Sequence, residues 1–280
     1  MLSLICGLAA ALAWGVHDVC VRFAAHRAGV VLALAAVLVS GLVLLLPAAV
    51  LAGAWAPPGP AAMGWSVAAG LAYAVAGYAL YRAFDLGPVR LVAPVVGSFP
   101  ILSVLWAAAG GTLPTADQMI AVVAIAAGVG LTAALGGDHG PTAGTRGRAL
   151  AWALAACAGF ALTFALGQAA HVAGGLATTL VARAISTVVI LGVVIVTAPR
   201  PPAGRLPWGL LVIMGAADAA ALTLVFLAGS LAHPEYAAVS ASTFGVVTIL
   251  LAWLFLKEPL SLPQGLAVLM VFGGIGYLAA

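Results

Sequence analysis

His17 and Asp18 stand side by side in "AWGVHDVC" (13–20), inside a run that is otherwise almost wholly apolar. A carboxylate so far from polar sequence is either neutralised by a neighbour or kept for binding and proton exchange. Arg22 follows Asp18 by four residues, the spacing of a helical ion pair. Trp14 precedes it by the same interval. Neutralisation by Arg22 and a titratable site are both open for Asp18. His17 diverges from Asp18 by about 100° around a helix. The two therefore need not share a partner, and His17 is expected to contribute mainly packing against a neighbouring helix, with a proton relay as the alternative.

Two more charges lie in apolar runs: Arg183 in "VARAIS" and Asp218 in "GAADAA". Thr179, Ser186 and Thr187 fall three or four residues from Arg183, so one helix face can carry all four. That face would line a polar cavity or clasp another helix. Asp218 follows Gly215 by three, which permits a close helix approach. On consecutive antiparallel helices Arg183 and Asp218 reach similar depth and are expected to pair. The pair reads either as plain neutralisation or as part of a substrate site, with Arg183 taking an anionic group. Tyr73, Gly77 and Tyr81 form an i, i+4, i+8 stripe, for packing or for stacking a substrate ring. The candidate substrate-binding residues are thus Trp14, Asp18, Tyr73, Gln168, Arg183, Asp218 and Ser240, the last on one face with Tyr236 and Thr243. Asp18 is the candidate for proton coupling. Pro94 and Pro100 each remove a backbone donor and are expected to bend the helix that holds them.

Other chemistry finds little support. The sequence has no GxxxxGK[ST] phosphate loop, no HExxH, and no GxSxG with partners. Cys6, Cys20 and Cys157 lie in apolar runs and suit packing better than disulfides or thiolate metal sites. No basic cluster interleaved with aromatics points to nucleic acid. No cofactor and no metal are expected.

The elements that must position these residues follow from the composition. Only 6% of the 280 residues are charged and 65% are hydrophobic, whereas soluble chains are about 25% charged. The mean hydropathy is +1.24. Apolar runs near the spanning length of about 20 residues occur ten times, roughly at 2–23, 29–52, 62–84, 88–109, 117–135, 147–169, 174–197, 206–229, 234–255 and 261–280. Turn-rich breaks such as "APPGP" and "APRPPAGRLP" separate them. The thirty-four glycines suit closely packed membrane helices.

The chain also repeats itself. An offset of 146 lays "GTLPTADQ" (111–118) on "KEPLSLPQ" (257–264), Thr115 on Ser261, Gln118 on Gln264 and Pro88 on Pro234. The same offset lays Trp14 on Phe160. Five spans per unit is an odd number, so the second unit enters the membrane from the opposite side. The fold expected is an all-α integral membrane protein of ten transmembrane helices in two inverted five-helix repeats, residues 1–137 and 147–280, joined by a central loop at 138–146. In such proteins the substrate site lies near the midplane, between the halves.

In "VTILLAWLFLKEPLSLPQGLAVLMVFGGIGYL" (247–278) and "LGPVRLVAPVVGSFPILSVLW" (86–106) the chain resembles the ten-helix, EamA-domain branch of the drug/metabolite transporter superfamily. Glu258 resembles the family's acidic residue at the end of the ninth helix; Thr112 stands at the matching point of the first unit and departs from the pattern. The resemblance implies a secondary carrier, by exchange or proton coupling, of a small polar metabolite such as an amino acid or other organic solute. A flippase-like carrier of a lipid-linked substrate and a non-transporting membrane scaffold are the alternatives. The expected partners are a small-molecule substrate and membrane lipid, not nucleic acid, and the protein is expected to be a monomer or homodimer in the cytoplasmic (inner or plasma) membrane. Arg22, Arg27, Arg82, Arg90, Arg146, Arg148, Arg200, Arg205 and Lys257 lie in or beside the loops after helices 1, 3, 5, 7 and 9. By the positive-inside rule these loops face the cytoplasm and both termini lie outside.

Overall fold

The structure is a computed structural model that describes residues 2–54, 58–102, 105, 115–135, 143–170, 173–199, 206–231, 237, 240–257 and 260–279. Thr112, Pro234, Tyr236, Glu258, Arg200, Arg205 and the side chains of Arg22 and Gln118 lie outside the described residues. All regular structure among those described is helical: α1 (Leu2–Ala28), α2 (Val30–Leu51), α3 (Pro60–Leu86), α4 (Val89–Gly97), α5 (Ala116–Leu135), α6 (Ala143–Ala169), α7 (Gly175–Thr197), α8 (Trp208–Leu227), α9 (Phe244–Leu251) and α10 (Leu262–Ala279). Helices α1, α2, α3, α6, α7 and α8 are long and apolar enough to cross a bilayer; the described apolar stretches of the other four are shorter. Helix α6 starts at Ala143, inside the stretch assigned to the central loop.

The packing shows the two repeats directly. Helix α1 packs on α8 and α9, and its counterpart α6 packs on α3 and α4. Helix α2 packs on α7 and α8, and its counterpart α7 on α2 and α3. Helix α5 packs on its own counterpart, α10. Exchanging the two halves leaves this pattern unchanged, as an axis in the membrane plane requires. The backbone carries the same signature. The turn into the second helix of each unit is a glycine in a region open only to glycine: Gly29 at φ 78°, ψ 150° and Gly174 at φ 79°, ψ 148°.

The broken helices lie at equivalent places in the two units. In α4, Pro94 sits within the helix, and a turn at Ser98–Phe99 precedes renewed helical residues from Pro100. There the backbone changes to i→i+3 bonding, with Ile101 N donating to Ser98 O at 3.1 Å and Leu102 N to Phe99 O at 2.9 Å. Pro100 has no N–H for the α-helical bond, which accounts for the change. A matching turn at Ser242–Thr243 precedes α9 without any proline. The Thr243 hydroxyl donates to Ser240 O at 2.6 Å and Thr243 N to the same oxygen at 3.2 Å, so a local side-chain bond competes with the helix.

Alternation of the spans gathers Arg27, Arg82, Arg90, Arg146, Arg148 and Lys257 at one end of the bundle. His26 and Arg27 occupy the last turn of α1, where cations suit the helix dipole. At that end Arg82 Nη1 donates to Asp85 at 3.1 Å, and His26 lies 3.8 Å from the same carboxylate. If this end is cytoplasmic, alkaline phosphatase fused at Ala280 is expected to be active and a cytoplasm-dependent fluorescent reporter dark. The opposite pair of signals would invert the orientation.

Candidate functional site

The polar groups of the sequence converge where α1 and α3 meet α7 and α8. Asp218, 3% exposed on α8, is the centre. Its Oδ1 accepts the Trp14 indole N–H from α1 at 2.9 Å and the Tyr73 hydroxyl from α3. Its Oδ2 accepts from Arg183 Nη1 on α7. The carboxylate is thus held by three donors from three helices and both halves of the chain. Charge-assisted bonds of this kind are the strong ones.

Arg183 is wholly buried, and its other donors go to main-chain oxygens. Nη2 reaches Val37 O on α2 at 3.0 Å and Gly215 O on α8 at 3.4 Å, while Nε reaches Leu38 O at 3.4 Å. Glycine makes the room. A Cβ on Gly41 would lie 2.7 Å from the Arg183 guanidinium carbon and 2.7 Å from Gly215 O; one on Gly215 would lie 2.7 Å from Val37 O. The α2 and α8 backbones approach closely there, and the missing Cβ atoms leave the space that the Arg183 guanidinium and the Ser40 hydroxyl border. The hydroxyls expected beside Arg183 do not line a cavity. Thr179 donates to Gly175 O at 2.7 Å, Ser186 to Arg183 O at 3.0 Å and Thr187 to Arg183 O at 2.7 Å, each satisfied within its own helix.

The His17–Asp18 step is built otherwise than its spacing suggests. His17 Nδ1 lies 3.0 Å from Asp18 Oδ1, and its Nε2 lies 3.3 Å from the Tyr81 hydroxyl of α3. His17, expected to contribute mainly packing, thus also bonds Asp18 and Tyr81. Neighbouring side chains diverge at Cα, but both here are long enough to turn toward one another. The two contacts form a chain Tyr81–His17–Asp18 in which the imidazole tautomer sets which atom donates. Asp18 and His17 are 2% and 3% exposed, and His17 is the partner of Asp18 among the described residues.

Between these groups lies a cavity shared by both halves. Its first-half wall includes Trp14, His17, Asp18, Tyr73 and Tyr81; Phe160, Phe164, Asp218 and Phe244 close it from the second. The rings are packed against one another, Trp14 with Phe164 at 5.4 Å and Tyr73 with Phe160 at 6.0 Å between centroids. The crevices between these side chains leave room for on the order of one water molecule. In this conformation the side chains themselves fill most of the space between the halves.

Of the sequence candidates, Trp14, Asp18, Tyr73 and Asp218 line the cavity, and Arg183 stands behind Asp218. Trp14 is more than the apolar wall expected, because it links α1 to Asp218. Two candidates lie elsewhere. Ser240 donates to Leu4 O and Ala237 O, at 3.3 and 3.4 Å, where the start of α1 meets the approach to α9. Gln168 is half-buried in the last turn of α6, away from the cavity lining. Phe160, Phe164 and Phe244 were missed. The repeat offset carried a signal for two of them: it lays Trp14 on Phe160 and Asp18 on Phe164.

Ten helices in two exchangeable units, with buried charge between them, define a helical membrane transporter of the inverted-repeat class. The model of the EamA-like transporter family matches residues 1–134 and again 147–279. The chain belongs to that family. A solved chain titled only as the crystal structure of a protein shares the fold, with a TM-score of 0.72 over 99% of this chain and 96% of the other, at 16% identity. No curated protein matches the sequence.

Proposed function

We propose that this transporter is a proton-coupled secondary carrier of a small organic solute. It works by alternating access, with the cavity between the halves as its substrate site and Asp18 as its proton site. One observation carries the reading: Asp18 is a membrane-buried carboxylate that lines the inter-repeat cavity and takes a titratable imidazole as its partner among the described residues. A fixed cation would hold the carboxylate ionised, whereas an imidazole allows a proton to be taken up and passed on. Asp218, saturated by Trp14, Tyr73 and Arg183, keeps the structural role in this scheme.

The test is uptake into proteoliposomes with and without an imposed pH gradient. Asp18→Asn is expected to abolish the response to the gradient while solute exchange across the membrane persists. His17→Gln is expected to slow the gradient-driven rate by about a hundredfold, the lower end of the range for a positioned proton-transfer group. Unchanged gradient-driven uptake in Asp18→Asn would defeat the assignment.

A further inference from the structure

We propose that the cavity takes a monovalent organic cation with an aromatic or aliphatic body, in preference to an anion or a zwitterion. This rests on the cavity being the transport site. Three observations support it. The first is charge. Asp218 is neutralised by Arg183, whose remaining hydrogen bonds run to the carbonyls of Val37, Leu38 and Gly215. That leaves Asp18, whose partner among the described residues is the His17 imidazole, as the carboxylate of the cavity lining with no Arg or Lys partner among those residues.

The second is the wall. Trp14, Tyr73, Tyr81, Phe160, Phe164 and Phe244 contribute six rings to the cavity that Asp18 lines. An aromatic face attracts a cation within about 6 Å of its centre and repels an anion. The same rings cover an apolar body, so one ligand can satisfy the wall and Asp18 together.

The third is what the wall does not offer. No Lys or Arg lines the cavity among the described residues. Arg183 reaches the site through Asp218 and is itself fully covered. The carboxylate of an amino acid would be desolvated there without a cationic partner, which is costly. An amine or quaternary ammonium has no such group.

Isothermal titration of the purified full chain with four molecules of one shape provides the test: phenethylammonium, 2-phenylethanol, 3-phenylpropanoate and phenylalanine. Phenethylammonium is expected to bind at least about tenfold more tightly than the other three, as an added ionic and cation–π contact implies. Asp18→Asn is expected to remove that advantage and Asp18→Glu to keep it. Equal or tighter binding of the anion, the neutral alcohol or the zwitterion overturns the proposal, as does undiminished phenethylammonium binding in Asp18→Asn. So does a tenfold tightening in Arg22→Gln, which would reveal a cation already neutralising Asp18. The probe series on the unaltered protein decides the matter even if a variant fails to fold.

Gly77→Leu separates this failure from failure of the transport-site reading. Gly77 lines the cavity, and even a Cβ there would lie 3.3 Å from Leu34. A neutral or anionic probe that binds the native protein and is lost in Gly77→Leu leaves the cavity as the site and removes only the cation preference. Any probe that binds Gly77→Leu undiminished sits elsewhere, and both readings fall.

Discussion

Asp218→Ala is expected to destabilise the folded protein by about 3–5 kcal/mol, the usual cost of removing one partner from a buried ion pair. The substitution strands the Arg183 guanidinium at zero exposure and takes the acceptor from Trp14 and Tyr73 at once. The main-chain bonds to Val37, Leu38 and Gly215 would still hold Arg183 in place, so it could not readily turn to water. The double replacement Arg183→Met with Asp218→Leu is expected to recover much of the loss, because neither buried charge then lacks its partner. The measurement is a double-mutant cycle on thermal or denaturant unfolding in detergent. Additive losses, with no recovery in the double variant, would show that the two side chains contribute independently.

The second large effect is steric. Gly41→Leu and Gly215→Leu are each expected to cost about 3 kcal/mol, the upper end of overpacking penalties. At both positions even a Cβ would lie within 3 Å of backbone or of the guanidinium. Helices α2 and α8 must separate to admit it, and the separation pulls Arg183 from its carbonyls. A glycine facing open space supplies the control. Gly192 on α7 has nothing within 4 Å of a Cβ, so Gly192→Ala is expected to be neutral or to stabilise by up to about 1 kcal/mol through helix propensity. Melting temperatures of the three variants, measured side by side, check the contrast.

Much of the architecture is legible in the sequence because it depends on length and period. Ten apolar runs separated by turn residues are enough to place ten helices, and five per unit is enough to invert the second. The prolines of α4 announce its break chemically. The break before α9 carries no such residue; it comes from the Thr243 hydroxyl competing for Ser240 O, a choice that depends on local geometry. The pairing of Arg183 with Asp218 is readable from depth on adjacent antiparallel spans. Tyr73 and Trp14 as joint donors to Asp218 are not, since they arrive from helices distant in the chain. Helical angle misleads for His17 and Asp18, because it fixes where Cβ points and not where a flexible side chain ends. Ser240 shares a plausible face with Thr243 in sequence, but that face meets the start of α1.

The two halves exchange packing roles, yet the polar cluster is present once. At the repeat offset, His17 and Asp18 face Thr163 and Phe164 in the other unit. In a carrier whose halves trade conformations, identical halves would make the inward-open and outward-open forms equivalent by a two-fold rotation about an axis in the membrane plane, and so equal in energy. A single lopsided charge cluster lifts that degeneracy. Under the proton-coupled scheme proposed above, the empty protein would therefore have a preferred resting side, and the return stroke against that preference would be a distinct energetic step, the one assigned there to proton binding at Asp18.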